Sequence, residues 1–284
     1  EELCIRFFQF EKLPDEVWNL KKLKKLKLDQ CEVTNIPDSI KNLTNLEYLN
    51  LSCKIKTLNI AISKLKNLKI LNLKRSYLLK KITKLPESLN HLIISNESLQ
   101  IDEEIFCLPN LRKLEIENTP IKKIPDAILN CERLYHLSVY SCVKNFEISL
   151  EVGKLSKLDY LEFSGKGIRN INFEFTNLKN LKDLIISNTG ITEIPDSICE
   201  CFKLNSLIVN DSPLKELPVN IGNLKALFKL DLEYTNISKL RRSISNLKKL
   251  EYLYIPDGVN VPLIFEEKEN KGNLTIRYGS CFDE

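Results

Sequence analysis

The sequence predicts an α/β solenoid in which short parallel strands form one sheet and short helices or 3₁₀ turns line the opposite side. Three observations predict this fold. The pattern Leu-Xaa-Xaa-Leu-Xaa-Leu recurs about every 23 residues, an apolar residue followed by Pro comes after several of these segments, and the apolar spacing then changes to threes and fours. The first observation assigns the strand of each repeat, and the other two assign its helical segment.

The recurring leucines predict the strands. In Leu26-Lys27-Leu28 apolar residues alternate with polar ones, which is the period of a strand with one buried face. New copies open at Leu3, Leu26, Leu49, Leu71, Leu92, Leu114, Leu137, Leu161, Leu184, Leu207, Leu230 and Leu253. We therefore expect a solenoid of about 11 to 12 repeats over residues 1–255, with one strand in each repeat.

Proline predicts where the helical segment of a repeat begins. Pro fixes φ and lacks an N–H, so it suits the first turn of a helix. After Pro37, for example, Ile40 and Leu43 follow at helical spacing. Because strand and helix alternate, the strands stack in parallel. A helical side wider than the strand side bends the stack into an arc, with the sheet on its concave face.

These repeats resemble the short-repeat subclass of the leucine-rich repeat family, with its Ile/Leu-Pro-Xaa-Xaa-Ile signature. The stretch from Leu184 to Ile198 is the clearest copy, and the stretch from Leu26 to Ile40 repeats it closely. The resemblance covers nearly the whole chain and is greatest to bacterial short repeats and plant intracellular immune receptors. It implies a right-handed solenoid and a role in recognition, as in immune receptors, bacterial effectors, adhesins and signalling scaffolds, without naming the partner.

One position departs from the family pattern. Many members place an Asn five residues after the opening Leu, and no repeat does so here. Thiol and hydroxyl side chains fill most of these positions, so we expect them to rebuild the ladder. A charge is costly to bury, and we therefore expect irregular or exposed turns at Lys54, Glu97 and Lys166.

The repeat register fails after Pro256. We expect residues 256–284 to form a C-terminal capping segment, in which a charged loop over 266–271 leads to a final strand over 273–278. A cap is needed because an uncapped solenoid end exposes its leucines.

The nine cysteines argue against disulfides and against a metal site. Their number is odd, no Cys-Xaa-Xaa-Cys pair occurs, and the chain has two histidines. The repeat register places four thiols in the core, at Cys31, Cys131, Cys142 and Cys201. Extracellular members of the family that these repeats resemble often carry cysteine clusters that cap both ends through disulfides, and neither end here shows one. The resemblance therefore favours the cytoplasm or another reducing compartment. A secreted or cell-surface location stays open.

The sequence also predicts a non-catalytic protein without a transmembrane segment. It contains none of the glycine-rich phosphate-binding, zinc-protease or serine-nucleophile motifs. The register directs Cys142 inward and His136 outward, so they cannot act together. No apolar run approaches the roughly 18 residues of a membrane span. We expect no enzymatic activity, no cofactor and no metal.

The outward strand positions form the predicted binding surface. Aromatic and aliphatic side chains ringed by polar ones suit a protein contact, although sheet propensity alone could also select them. The predicted partner-binding residues on the concave face are Tyr48, Ile70, His91, Ile93, His136, Tyr140, Tyr160, Ile185, Ile208, Tyr252 and Tyr254.

Charge is uneven along the chain, although the formal net charge is only +4. Residues 1–85 contain 18 Lys and Arg against 9 Asp and Glu, and residues 86–284 contain 24 against 29. Such a gradient would orient a partner of complementary polarity. The predicted orienting charges are Lys25, Lys27, Lys74, Arg75, Asp231 and Glu233.

We therefore expect a recognition module that binds a polypeptide on its concave sheet and is a monomer or weak oligomer. Two alternatives remain open at this point. The basic first repeats could bind a polyanion such as nucleic acid or an anionic surface, or the repeats could be a structural spacer. The lysines are spread over both faces, which favours a protein partner over nucleic acid.

Overall fold

The computed structural model describes residues 1–82 and 84–279 and divides into two compact units. Unit 1 comprises Glu1–Ile121 and Ala127–Leu134, and unit 2 comprises Lys122–Asp126 and Tyr135–Glu284. Cys281, one of the nine cysteines considered above, lies outside the described residues. Both units are built from the predicted strand and turn repeat.

Unit 1 contains six parallel strands in sequence order among its described residues. These strands are β1 (Glu2–Arg6), β2 (Lys25–Cys31), β3 (Tyr48–Cys53), β4 (Ile70–Lys74), β5 (His91–Ser95) and β6 (Lys113–Glu117). The 3₁₀ helices between them are Asp15–Asn19, Asp38–Asn42, Ile60–Lys64 and Glu103–Cys107, and a further one covers Asp126–Asn130.

Unit 2 repeats this design with seven parallel strands in its described part, and a separate two-stranded pair joins β7 to β9. The strands are β7 (Lys123–Ile124), β8 (His136–Tyr140), β9 (Glu147–Ile148), β10 (Tyr160–Ser164), β11 (Asp183–Ser187), β12 (Ser206–Asn210), β13 (Lys229–Asp231), β14 (Tyr252–Pro256) and β15 (Thr275–Gly279). The helical segments are the 3₁₀ helices Leu150–Lys154, Asp196–Glu200, Ile221–Asn223 and Arg242–Asn246 and the α-helix α1 (Leu263–Asn270).

The opening leucines align from strand to strand, as the repeat predicts. Leu161 pairs with Leu184, and Leu184 with Leu207. All three side chains are completely buried. The helical side completes the core with residues such as Ile40, which follows Pro37 and is also completely buried. The strands and the turns therefore share one continuous apolar interior within each unit.

The turns are 3₁₀ rather than α-helical because each repeat leaves only about one turn of chain for them. In the turn after Pro37, the N–H of Leu43 donates to the carbonyl of Ile40, three residues earlier, at 3.0 Å. In two turns that lack this Pro, a side chain caps the turn. The Asn59 side chain accepts from the N–H of Ala61 at 2.8 Å, and Ser149 accepts from that of Glu151 at 3.0 Å.

After several strands, the backbone conformation of the next residue decides which side chain turns inward. Asn118 and Asn188 have positive φ, and the following Thr119 and Thr189 are buried. Where this left-handed residue is absent, the chain turns inward one residue sooner. Cys53 and Asn96 are then buried, and Lys54 and Glu97 are exposed. Lys166 is exposed after the buried Gly165, so the prediction of exposed turns at all three charged positions is confirmed.

This geometry corrects the predicted core position of Cys142. The preceding residue, Ser141, does not take the left-handed conformation, so Ser141 is buried and Cys142 is exposed. The other three thiols predicted in the core, Cys31, Cys131 and Cys201, are buried, and so are Cys53 and Cys199.

Hydroxyl and thiol side chains join neighbouring turns as expected, for example where the Ser76 hydroxyl donates to the Leu51 carbonyl at 2.6 Å. Asparagine forms further contacts of this kind. The buried Asn96 amide donates to the carbonyls of Ser76 and Leu79, both at 2.7 Å. A second set lies where the chain returns toward the sheet, where each amide donates to a backbone carbonyl of the preceding repeat. Its members are Asn45, Asn67, Asn110 and Asn180, with distances of 2.9 to 3.0 Å.

The C-terminal segment contains a helix where a charged loop was predicted. Residues 266–271 fall almost entirely within α1, whose Phe265 is completely buried. The predicted final strand is present as β15, which pairs in parallel with β14 and aligns Ile276 with Leu253.

Candidate partner-binding face

The outward side chains of β1–β6 form a solvent-facing surface on unit 1, called here the unit 1 face. On β5, Leu92 and Ile94 are buried while His91 and Ile93 are half-buried and face outward. Tyr48 and Ile70 hold equivalent positions, because Tyr48 pairs with Ile70 and Ile70 pairs with His91. All four residues predicted for binding on this unit therefore lie on the outward face of its sheet.

The outward side chains of β8 and β10–β15 form the corresponding unit 2 face. Strand register places Tyr160 between His136 and Asp183, and it places Ile185 directly beside Ile208. The residues predicted for binding on this unit are all half-buried and outward, namely His136, Tyr140, Tyr160, Ile185, Ile208, Tyr252 and Tyr254.

An aromatic and carboxylate network orders one part of the unit 2 face. The rings of His136 and Tyr160 stack with centroids 4.1 Å apart and planes 3° from parallel. The Tyr160 hydroxyl donates to Glu162 Oε2 at 2.9 Å, and the Ser138 hydroxyl donates to the same oxygen at 2.7 Å. Because the ring stacking and the two hydrogen bonds already hold these side chains in place, they need little further ordering on binding.

Asp183 lies next to this network and is electrostatically strained. It is half-buried, and burial raises the pKa of its carboxyl group above the usual value. The negative charge of Asp159 adds to the upward pKa shift, and Lys182 opposes it. Lys182 makes its ion pair with Asp159, at 3.4 Å, rather than with Asp183. The Asp183 carboxylate is thus partly desolvated without close compensation.

Asp231 and Glu233 do not serve as the exposed orienting charges that the sequence predicts. They are only 6% and 8% exposed. Asp231 pairs with Lys229 at 3.6 Å, and Glu233 Oε1 lies 3.0 Å from Arg277 Nε. Burial raises the Glu233 pKa and the charge of Arg277 opposes that shift. Arg277 lies on β15, beyond the region in which the sequence repeat was recognised.

Two tyrosines accompany these charges at the end of the unit 2 face. The Lys229 ammonium lies 5.0 Å from the centre of the Tyr254 ring, and the Arg277 guanidinium lies 6.0 Å from it. The Tyr252 and Tyr254 rings meet edge to face with centroids 6.5 Å apart. The side chains of Lys229 and Arg277 are therefore held by carboxylates and by the Tyr254 ring of the same face.

The basic charges of the unit 1 face are also largely paired. Lys25 and Lys27 both contact Glu2, at 3.6 and 2.6 Å, and Lys74 contacts Glu117 at 2.8 Å. Arg75 is exposed just after β4, where its φ is 67°. The excess of positive charge in residues 1–85 therefore belongs mainly to other surfaces of unit 1.

Sequence reasoning missed two functional candidates on the unit 2 face. Glu162 was not selected, although it occupies an outward position on β10 opposite Ile185. Asp183, which occupies an outward position on β11, was not selected either. The available signal was position alone, since the hydroxyl contacts of Glu162 and the burial of Asp183 depend on packing.

Neither a metal centre nor a membrane span is found in the part of the chain that the structure describes. Within residues 1–82 and 84–279, no three His, Cys, Asp or Glu side chains are grouped as metal ligands would be. In the same residues no helix has the length and apolar character that crossing a membrane requires.

Comparison with known proteins agrees with the repeat architecture. A family model described as a leucine-rich repeat region matches residues 9–123. The disease resistance protein RPS4B of Arabidopsis thaliana is 30% identical over 169 residues, which is 58% of this chain and 14% of that protein. The chain thus spans about one seventh of the length of this curated relative.

Solved structures show the same fold at low sequence identity. An internalin from Listeria monocytogenes is 21% identical with a TM-score of 0.75, and the match covers 99% of this chain and 82% of that one. The plant peptide hormone receptor RGFR1, in complex with RGF2, is 22% identical with a TM-score of 0.64 and coverage of 98% and 50%.

The repeats, the parallel sheets of both units and these matches define the class of protein. Residues 9–123 match a leucine-rich repeat region, and the chain has the fold of an α/β leucine-rich repeat solenoid.

Proposed function

We propose that this chain is a non-catalytic recognition module that binds a polypeptide partner on the outward face of its sheet. The observation that carries the proposal is the ordered network on the unit 2 face. The stacked His136 and Tyr160 rings and the two hydroxyls on Glu162 form a surface whose aromatic groups remain partly accessible. Accessible aromatic groups with little freedom to lose suit a protein contact.

The similar proteins support the same proposal at the level of class. RGFR1 is a peptide hormone receptor whose structure contains RGF2, and RPS4B is a disease resistance protein. We extend only recognition of a polypeptide from these proteins to this chain.

We also propose that residues 256–284 cap the repeats. Phe265 of α1 is completely buried, and β15 continues the parallel sheet beside β14. A cap with these two elements keeps the apolar interior of the last repeat away from water.

The free thiols support placement in a reducing compartment. Cys31, Cys53, Cys131, Cys199 and Cys201 are free and buried. Burial raises the pKa of the Cys53, Cys131 and Cys201 thiols to about 12. Such thiols act as small apolar core groups, and disulfides are rare where the environment is reducing.

The proposal is tested by capture of a partner from the native source with two matched triple variants. In the first, Tyr140, Tyr160 and His136 are replaced by Ala. In the second, exposed apolar residues away from the unit 2 face are replaced by Ala, namely Leu150, Phe202 and Val219. Circular dichroism and thermal unfolding establish that both variants keep the fold.

We expect one protein to be captured by the parent and by the second variant and to be lost with the first. Equal capture by all three would refute the proposed binding face. Capture of nucleic acid alone, removed by moderate salt, would support the polyanion alternative instead.

A further inference from the structure

We propose that the unit 2 face selects an extended peptide segment in which a basic residue, preferably arginine, lies two positions from an aliphatic residue. The basic side chain would bind between Asp183 and Glu162 against the Tyr160 ring, and the aliphatic side chain would pack on Ile185 and Ile208. This inference rests on the proposed function and goes further by naming the chemistry of the peptide.

Charge complementarity is the first argument. On the four adjacent strands β8, β10, β11 and β12 the outward positions contain two carboxylates, Glu162 and Asp183, and neither Lys nor Arg. The cations nearby on β13 and β15 are already paired with carboxylates of this face. A basic side chain therefore suits this part of the face, and an acidic one would be repelled.

Asp183 provides the strongest attraction for a cation. No hydrogen bond or ion pair from residues 1–82 and 84–279 reaches its carboxylate, although the side chain is half-buried. A ligand cation would supply the missing compensation without first breaking an internal contact. A charge that is already partly desolvated also loses less hydration when the ligand binds.

Glu162 provides a second carboxylate at a suitable place. In the strand register Tyr160 is opposite Asp183 and Glu162 is opposite Ile185. Glu162 and Asp183 are thus offset by one strand, about 4.8 Å, and by two residues along it, about 6.6 Å. Both hydroxyl contacts of Glu162 are made to Oε2, so Oε1 can accept from a ligand while the side chain stays in place.

The Tyr160 ring explains the preference for arginine. His136 stacks on it from the β8 side with nearly parallel planes, so its opposite ring face is directed toward β11, where Asp183 lies. A guanidinium group can stack on an aromatic ring while its edge donates to a carboxylate. A lysine ammonium could reach the carboxylates but would lack the planar stacking contact.

The aliphatic requirement follows from the next two strands. Ile185 and Ile208 are half-buried, are opposite one another on β11 and β12, and lie two residues along the strand from Asp183 and Ser206. An aliphatic side chain placed here would remove apolar surface from water on both partners. The basic and aliphatic positions are two residues apart along β11, which matches the spacing of side chains i and i+2 on one side of an extended segment.

The test uses a random linear peptide library displayed on phage and selected on the intact 284-residue chain. The same selection is made with the variants Asp183→Asn and Asp183→Lys. Asp196→Asn is the matched control, because Asp196 is an exposed carboxylate in a 3₁₀ helix outside the sheet. Circular dichroism establishes that every variant is folded.

We expect the parent and the Asp196→Asn variant to enrich peptides with arginine or lysine two positions from an aliphatic residue. Asp183→Asn should weaken that enrichment, and Asp183→Lys should abolish it. For one selected peptide made synthetically, Asp183→Asn should weaken binding about tenfold, as loss of a charged hydrogen bond does. Replacing the arginine of the peptide by the neutral isostere citrulline should weaken binding of the parent similarly.

A double-mutant cycle then locates the contact. The citrulline peptide should lose little further affinity for the Asp183→Asn variant, because the same contact is already missing. Fully additive losses would overturn the proposed position of the cation. Selection of peptides without basic residues would overturn this inference and leave the proposed function in place. If the parent selects no peptide at all, the proposed function fails and this inference fails with it.

Discussion

Replacement of Gly165 by Ala should destabilise the protein more than the same change at other glycines of unit 2. Gly165 has a φ of 112°, and an added Cβ would lie 2.0 Å from the backbone oxygen of Ser141. A residue with a side chain costs about 1–2 kcal/mol in a left-handed conformation. The contact with backbone requires a displacement that costs about 1–3 kcal/mol more. We therefore expect a total cost of about 2–5 kcal/mol.

Two control variants separate the two contributions. Gly258→Ala has the positive φ alone, since φ is 78° and nothing lies within 4 Å of the added Cβ. Gly222→Ala has the contact alone, 2.0 Å from the Ser243 oxygen, without a positive φ. Each should cost less than Gly165→Ala. Urea unfolding, monitored by circular dichroism, ranks the three variants by their loss in free energy of unfolding. A neutral Gly165→Ala, or an equal cost at Gly165 and Gly258, would refute the reasoning.

Three further predictions follow from buried or perturbed groups. Asn96→Ala should lower the free energy of unfolding by about 2–4 kcal/mol, because two buried carbonyls lose their donor. Urea titration measures this change. In the same titration, replacement of the exposed Asn180 by Ala should lower the free energy of unfolding by less. Asp183→Asn should raise the melting temperature at neutral pH. Burial raises the pKa of Asp183 above 3.8. Its ionised form therefore opposes folding at pH values above the raised pKa. The increase in melting temperature should disappear as pH falls below 3.8, because Asp183 is then protonated in both the folded and the unfolded state. An unchanged gain at acid pH would contradict this explanation. Iodoacetamide should label the exposed Cys107 and spare the buried Cys131, whose pKa is raised to about 12. Peptide mass spectrometry measures both sites, and equal labelling in the folded protein would be inconsistent with the core position of Cys131.

The strand positions could be predicted because they depend on a local period. Alternation around Leu161 or Leu184 specifies which side chains face the core whatever the neighbouring repeat contains. The turn after the strand could not be predicted as well, because it depends on one backbone conformation. Asn and Asp favour the left-handed region, yet Arg75 and Tyr234 adopt it as well. The wrong placement of Cys142 came from this ambiguity.

The candidate face was predictable in position but not in chemistry. The outward location of His136, Tyr160 and Ile185 follows from the repeat. The pairing of Glu233 with Arg277 could not be anticipated, because it joins the repeats to a strand in the segment where the sequence pattern is lost. The desolvation of Asp183 likewise depends on how neighbouring side chains pack.

Site-specific photocrosslinking tests the central claim most directly. Ser206 lies on the unit 2 face between Asp183 and Lys229 in the strand register, and Phe202, which is 58% exposed, lies outside the sheet. A photoreactive benzoylphenylalanine is placed at one or the other position, and the chain is irradiated with a peptide selected on the parent. We expect crosslinking from position 206 and none from position 202. Crosslinking from position 202 alone would contradict recognition on the sheet.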